Sequence, residues 1–199
     1  MTSFLAVFAI AFGAILIVEL PDKTLVATLV LSTKYRPRPV LVGVACAFAI
    51  QCVLAVTAGG LLHLLPHRVL EAIVAVLFAL GAFLLFRESV SDEEDDIEAE
   101  TPAAGSLSDR RIFGISFGVL FAAEWGDASQ LATAGLVARY GQPFAIGLGA
   151  FLALVGVAAL AVVAGKAILR KVPLEFVHRV AAGLFAVFAV IAGTAAIRG

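Results

Sequence analysis

The chain has 199 residues, 62% of them hydrophobic and 15% charged, against about 45–50% and about 25% in an ordinary soluble domain. That composition excludes a soluble single-core domain and indicates a chain that lives in lipid. Fourteen Lys and Arg against 15 Asp and Glu leave a net charge of -1, so no basic face exists to favour nucleic acid.

A transmembrane helix needs about 20 apolar residues. By that measure six spans are predicted, at about 4–31, 40–62, 69–86, 112–138, 143–165 and 175–197. The first has neither a basic leader nor a small-residue cleavage site and runs on past Glu19, so it is read as a helix and not as a signal peptide. Arg36-Pro37-Arg38-Pro39 ends it with turn chemistry. Cys46 and Cys52 fall in the second span, about 240° apart around a helix, and cannot easily pair with each other. Pro66-His67-Arg68 closes the second span, and Gly141-Gln142-Pro143 and Lys171-Val172-Pro173 close the fourth and fifth. Between the third and fourth lies DEEDDIEAE, residues 92–100, which reads as a solvated connector or as a cation-recruiting segment.

The expected fold is an all-α polytopic membrane protein of two three-helix repeats, residues 1–87 and 111–199, joined by an acidic linker, residues 88–110. Ten Lys and Arg, among them Arg36, Arg87 and Arg110, flank the first, third and fifth connections; Arg68, Arg139 and Arg198 lie on the other side. Positive charge marks the cytoplasmic side, so the linker is expected in the cytoplasm and both termini outside it. In a prokaryote the membrane would be the plasma membrane.

An internal repeat supports the division. Residues 12–35, FGAILIVELPDKTLVATLVLSTKY, lie over residues 117–140, FGVLFAAEWGDASQLATAGLVARY, at a constant offset of 105, with Glu19/Glu124, Asp22/Asp127, Thr28/Thr133 and Tyr35/Tyr140 among eight identities. Three helices per half is an odd number, so the halves enter the bilayer in opposite senses. Such inverted repeats build many secondary transporters, whose sites lie near the midplane.

The polar residues inside the spans repeat as well. Glu19 and Asp22, and again Glu124 and Asp127, stand at i, i+3 on one helical face. Each unpaired charge costs at least about 2.5–3.5 kcal/mol to insert, and Lys23 alone cannot offset four carboxylates. A bound cation can. Pro21 and Gly126 permit local helix breaks that release carbonyl oxygens, and Thr24 and Ser129 add hydroxyls. Oxygen ligands suit hard divalent ions such as Mn2+, Ca2+ or Mg2+. Thr28 and Thr133, one turn on, either join this set or bond back to their own i-4 carbonyls. Gln51 and Gln130 read as interhelical hydrogen-bond formers.

With these residues in place, the chain resembles the Gdt type of six-helix membrane proteins (uncharacterised protein family 0016), manganese and calcium exchangers driven by protons. That family carries two copies of E-x-G-D-[KR]-[ST]. Here they read Glu19-Leu20-Pro21-Asp22-Lys23-Thr24 and Glu124-Trp125-Gly126-Asp127-Ala128-Ser129. Pro21 stands in place of the first glycine and Ala128 in place of the second basic residue, and no carboxylate is lost. The resemblance implies export of Mn2+ or Ca2+ as substrate in exchange for protons, with no cofactor. An empty site of charge about -3 would be reset by one divalent ion or two protons, because like charges held close make protons compete with metal.

Two rival readings are a lysine-exporter-type carrier of small solutes and an intramembrane aspartyl-type hydrolase. The second needs a glycine two before the Gly-Asp pair and a Tyr-Asp partner, and neither occurs. A passive channel is a third. His63 and His67, at i, i+4, suggest a weak metal-entry point or ordinary interfacial histidines. Trp125 walls the site from lipid or simply packs, and the glycines, Gly114 and Gly118 among them, are expected to allow close helix packing.

Overall fold

The computed structural model describes residues 3–20, 23–90, 107–168 and 174–198, and the secondary structure among them is helical. Helices run at α1 Phe4–Glu19, α2 Lys23–Lys34, α3 Pro37–Leu62, α4 His67–Val90, α5 Asp109–Ala123, α6 Ala128–Tyr140, α7 Pro143–Ile168 and α8 Leu174–Arg198. The acidic stretch 92–100, Pro21 and Asp22 fall outside the described residues, as do the side chains of Lys23 and His67.

The first and fourth predicted spans are therefore each two helices and not one. In the fourth the cause is visible. Gly126 has φ +77°, a left-handed conformation that glycine adopts without cost, and the Asp127 N–H returns to the Glu124 carbonyl at 3.3 Å. That closes a turn with glycine at its third position. In the first span, α1 ends at Glu19 and α2 begins at Lys23, on either side of a proline that cannot donate to a helix. Pro37–Leu62 and Pro143–Val163 are long and apolar enough to cross a membrane unaided. The 16 residues of α1 reach only about 24 Å.

Local chemistry sets the remaining boundaries. The Ser3 hydroxyl accepts from the Ala6 N–H at 3.3 Å and caps α1. Pro37 and Pro143 sit at the first positions of α3 and α7, where a missing N–H costs nothing. Gly141, with φ +62°, closes α6.

Packing partners exchange between the halves. Helix α1 lies on α7 as α5 lies on α3, and α2 lies on α7 as α6 lies on α3; α3 meets α7, and α4 meets α8. One close approach occurs twice. A Cβ on Gly43 of α3 would stand 2.6 Å from the Phe113 carbonyl oxygen and 3.1 Å from the Phe117 nitrogen; on Gly149 of α7 it would stand 2.8 Å from the Phe8 oxygen and 3.1 Å from the Phe12 nitrogen. Phe8/Phe113 and Phe12/Phe117 are repeat pairs. Gly114 and Gly118 do not fill the role expected of them, since a Cβ on either meets nothing within 4 Å. Those two lie on the open side of α5, while the glycines that bring helix backbones closest, Gly43, Gly59 and Gly149, belong to α3 and α7.

Helices α2 and α6 end at opposite ends of α3. At the start of α3, Arg36 donates to the Leu107 carbonyl at 2.7 Å and pairs with Asp109 at 3.1 Å, both side chains exposed. At its end, the His63 Nδ1–H donates to the Ala138 carbonyl at 2.6 Å, near the close of α6. Also at that end, Arg139 Nη1 lies 2.7 Å from both carboxylate oxygens of Glu71 on α4. Glu71 is buried, and the pair joins α4 to α6. Cys46 and Cys52 are free.

Candidate metal centre

Each break places a glutamate at a helix C-terminus. Glu19 is the last residue of α1 and Glu124 the C-cap of α5, so two half-helix ends with their partial negative charge point where the carboxylates are. Such ends suit a cation. Asp127 opens α6 as its N-cap, with its Oδ2 accepting from the Ser129 N–H and hydroxyl, both at 3.5 Å.

The fold gathers these groups. One carboxylate oxygen each from Glu19, Glu124 and Asp127 lies within 4.8 Å of the others. Oxygens bound at about 2.3–2.6 Å to one Ca2+ are separated by up to roughly 5 Å, so the spacing fits a single divalent ion. Glu19 is 0% and Glu124 1% exposed, while Asp127 is half-buried. Glu19 comes from the first half, the other two from the second.

Hydroxyls and amides divide into three kinds. Thr24, fully buried on α2, donates to Glu124 Oε1 and so ties the halves together at the cluster. Ser129 is bonded to Asp127. Thr133 is spent on the Ser129 carbonyl at 2.8 Å, the backbone alternative of the two open in the sequence, whereas Thr28 makes no such bond. Gln130 Oε1 accepts from the Gly126 N–H at 3.2 Å and secures the turn from the next helix, much as a capping box does. Gln51 Nε2 donates to the Phe121 carbonyl at 3.1 Å, one of the carbonyls that α5 leaves open at its end.

Among the peripheral candidates, His63 is committed to Ala138 by Nδ1, which supports an interfacial role over an entry point. Trp125 is 63% exposed and tilts against Phe121 at 5.3 Å, at the end of a row formed with Phe113 and Phe117. Sequence reasoning missed Glu71. Its signal was present, a lone carboxylate in the third apolar stretch, with Arg139 counted only as a loop charge.

Comparison with known proteins decides the family. A model described as divalent cation/proton antiporter GDT1 matches residues 7–93 and 112–198. The chain belongs to the GDT1 family. A GDT1-like protein of Synechocystis is 32% identical over 199 residues, covering 94% of this chain and 96% of that one. A Vibrio cholerae protein named as a candidate manganese exporter is 31% identical over 193 residues, covering 93% and 89%. The chloroplastic PAM71-homolog of Arabidopsis thaliana is 26% identical, covering 92% of this chain and 57% of its own length. No solved structure matches. As a GDT1-family member the chain is an integral membrane transporter and not an enzyme, and the cations it carries are substrates, not cofactors.

Proposed function

We propose that this GDT1-family chain exports Mn2+ or Ca2+ from the cytoplasm in exchange for protons, through one site near the membrane midplane built from Glu19, Asp22, Glu124 and Asp127 with Thr24 and Ser129. The carrying observation is that carboxylates from both halves lie within 4.8 Å of one another. A cluster shared between two bodies changes its access when those bodies rock, as alternating access requires. Like charges at that range favour either one divalent ion or protons in its place.

The architecture proposed is six spans in two inverted repeats, residues 1–87 and 111–199, the first span of each broken at its motif. Two observations support it. The matched stretches begin at 7 and 112, the same offset of 105 as the internal repeat. Helices α2 and α6 end at opposite ends of α3, as repeats of opposite sense would. By the distribution of Lys and Arg, the Arg36 face is cytoplasmic and both termini lie on the other side.

The test is flux. Vesicles carrying the reconstituted chain take up Mn2+ or Ca2+ under an imposed pH gradient, and Glu19→Gln and Asp127→Asn are compared with the wild type. Both substitutions are expected to abolish the pH-driven component. Undiminished flux in both would end the proposal.

A further inference from the structure

Helices α2 and α5 are tied at two levels. At the cluster Thr24 donates to Glu124; at the start of α3, Arg36 reaches Leu107 and Asp109. Between these ties lie Thr28, about 6 Å along α2 from Thr24, and Ser116, about 12 Å along α5 from Glu124. Both residues are 0% exposed, and neither hydroxyl oxygen has a hydrogen-bond partner among the described residues. Helices offer such hydroxyls a ready remedy, the carbonyl one turn back. Thr57 and Thr133 take it, at 2.7 and 2.8 Å. Thr28 and Ser116 do not. A buried polar group left unpaired in this way points to an ordered water or ion.

The repeat supplies an internal comparison. Ser116 corresponds to Ala11 and Thr28 to Thr133, each at the offset of 105. Where α2 and α5 carry two unsatisfied hydroxyls, α1 and α6 carry a methyl group and a hydroxyl already bonded; Ser116 also borders α3, since a Cβ on Gly43 would stand 3.1 Å from its Cβ, as one on Gly149 of α7 would stand 3.2 Å from that of Ala11.

We propose that Thr28 and Ser116 line a single file of waters joining the carboxylate cluster to the Arg36 face, and that this file conducts protons and not the metal. The inference rests on the antiport reading above. Two enclosed hydroxyls can serve single waters, which need two to four polar partners each, but they are too few to replace the six to eight oxygens around a divalent ion such as Ca2+. A hydroxyl both donates and accepts, as a proton file requires. Leu120, 0% exposed, stands between Ser116 and Glu124 on the same stripe of α5, so the last step to the cluster runs along α2, past Thr28 and Thr24.

Thr28→Val and Ser116→Ala are to be compared with the wild type for pH-driven Mn2+ flux in vesicles and for Mn2+ affinity in detergent at fixed pH. Flux is expected to fall about fivefold or more, the worth of one hydrogen-bonding group, with affinity held within about twofold and flux restored in Thr28→Ser. Unchanged flux in both variants, or affinity falling together with flux, overturns the proposal. A second measurement is independent of transport. With Cys46 and Cys52 replaced by alanine, Thr28→Cys, Ser116→Cys, Ala11→Cys and Thr133→Cys are exposed to Ag+, unfolded and labelled with a maleimide. Protection at 28 and 116 but not at 11 and 133 is expected, and equal labelling at all four positions refutes the file. A wild-type chain without pH-driven flux counts against the antiport reading, while the Ag+ pattern still decides whether Thr28 and Ser116 meet water.

Discussion

Replacing Gly43 or Gly149 by alanine tests the duplicated packing at two places in one molecule. The added methyl would meet backbone oxygen at 2.6 Å on Gly43 and 2.8 Å on Gly149, roughly 1 Å inside ordinary contact. Because the neighbour is main chain and not the tip of a flexible side chain, α3 must move from α5, or α7 from α1. Overpacking of this kind costs about 1–3 kcal/mol, partly offset by the gain of about 1 kcal/mol from removing glycine within a helix. The net loss expected is about 0–2 kcal/mol, toward the upper end for Gly43→Ala with its shorter approach and slightly less for Gly149→Ala. Gly114→Ala and Gly118→Ala, with open space around the added carbon, should be neutral or stabilising by up to about 1 kcal/mol. The chain has one tryptophan, Trp125, whose fluorescence can follow denaturant unfolding in detergent. A neutral Gly43→Ala beside a destabilising Gly114→Ala would refute the packing argument.

The Arg139–Glu71 pair is expected to be worth more as a pair than either charge alone. Arg139→Met should cost about 3 kcal/mol, the low end for a broken buried pair, because Arg139 keeps 29% of its side chain exposed; Glu71→Leu with Arg139→Leu should cost less than Arg139→Met, and strictly additive losses in the same unfolding assay would contradict this. Gly126→Ala forces a Cβ into a left-handed conformation at a cost of about 1–2 kcal/mol, with no clash to add to it. If that strain displaces Glu124 from Asp127, Mn2+ affinity falls by up to about thirtyfold, Gly126→Asn loses less, and an unaffected alanine variant would show that the turn does not hold the site.

The carboxylate cluster of the candidate site was legible because chemistry and periodicity agreed there. Glu19, Glu124 and Asp127 stand out as costly charges in apolar runs, and their offset of 105 announces that they belong together. The breaks were legible as a proline and a glycine, but not that they divide each span into separate helices, which depends on the backbone returning from Asp127 to Glu124. Two things were hidden for physical reasons. Gly43 and Gly149 differ by 106 and not 105, so a fixed offset passes over them, and only the packed helices show that they meet equivalent phenylalanines. Glu71 finds Arg139 across 68 positions, through the contact of α4 with α6. Nor does sequence distinguish Thr28 from Thr133, identical residues in matching places whose hydroxyls bond differently.

Gln51 bonds the α5 carbonyl at Phe121, while its counterpart at the glycine offset, Val157, packs in an apolar cluster beside Leu16. Two separate copies of a single half could not be built this way, because any change to one would appear on both sides of the axis at once. Covalent fusion frees each half to specialise, one keeping a polar grip near its glutamate and the other a greasy one. On the antiport reading proposed above, the two directions of the transport cycle then need not be mirror images in energy, even though Glu19 and Glu124 are the same residue in the two halves.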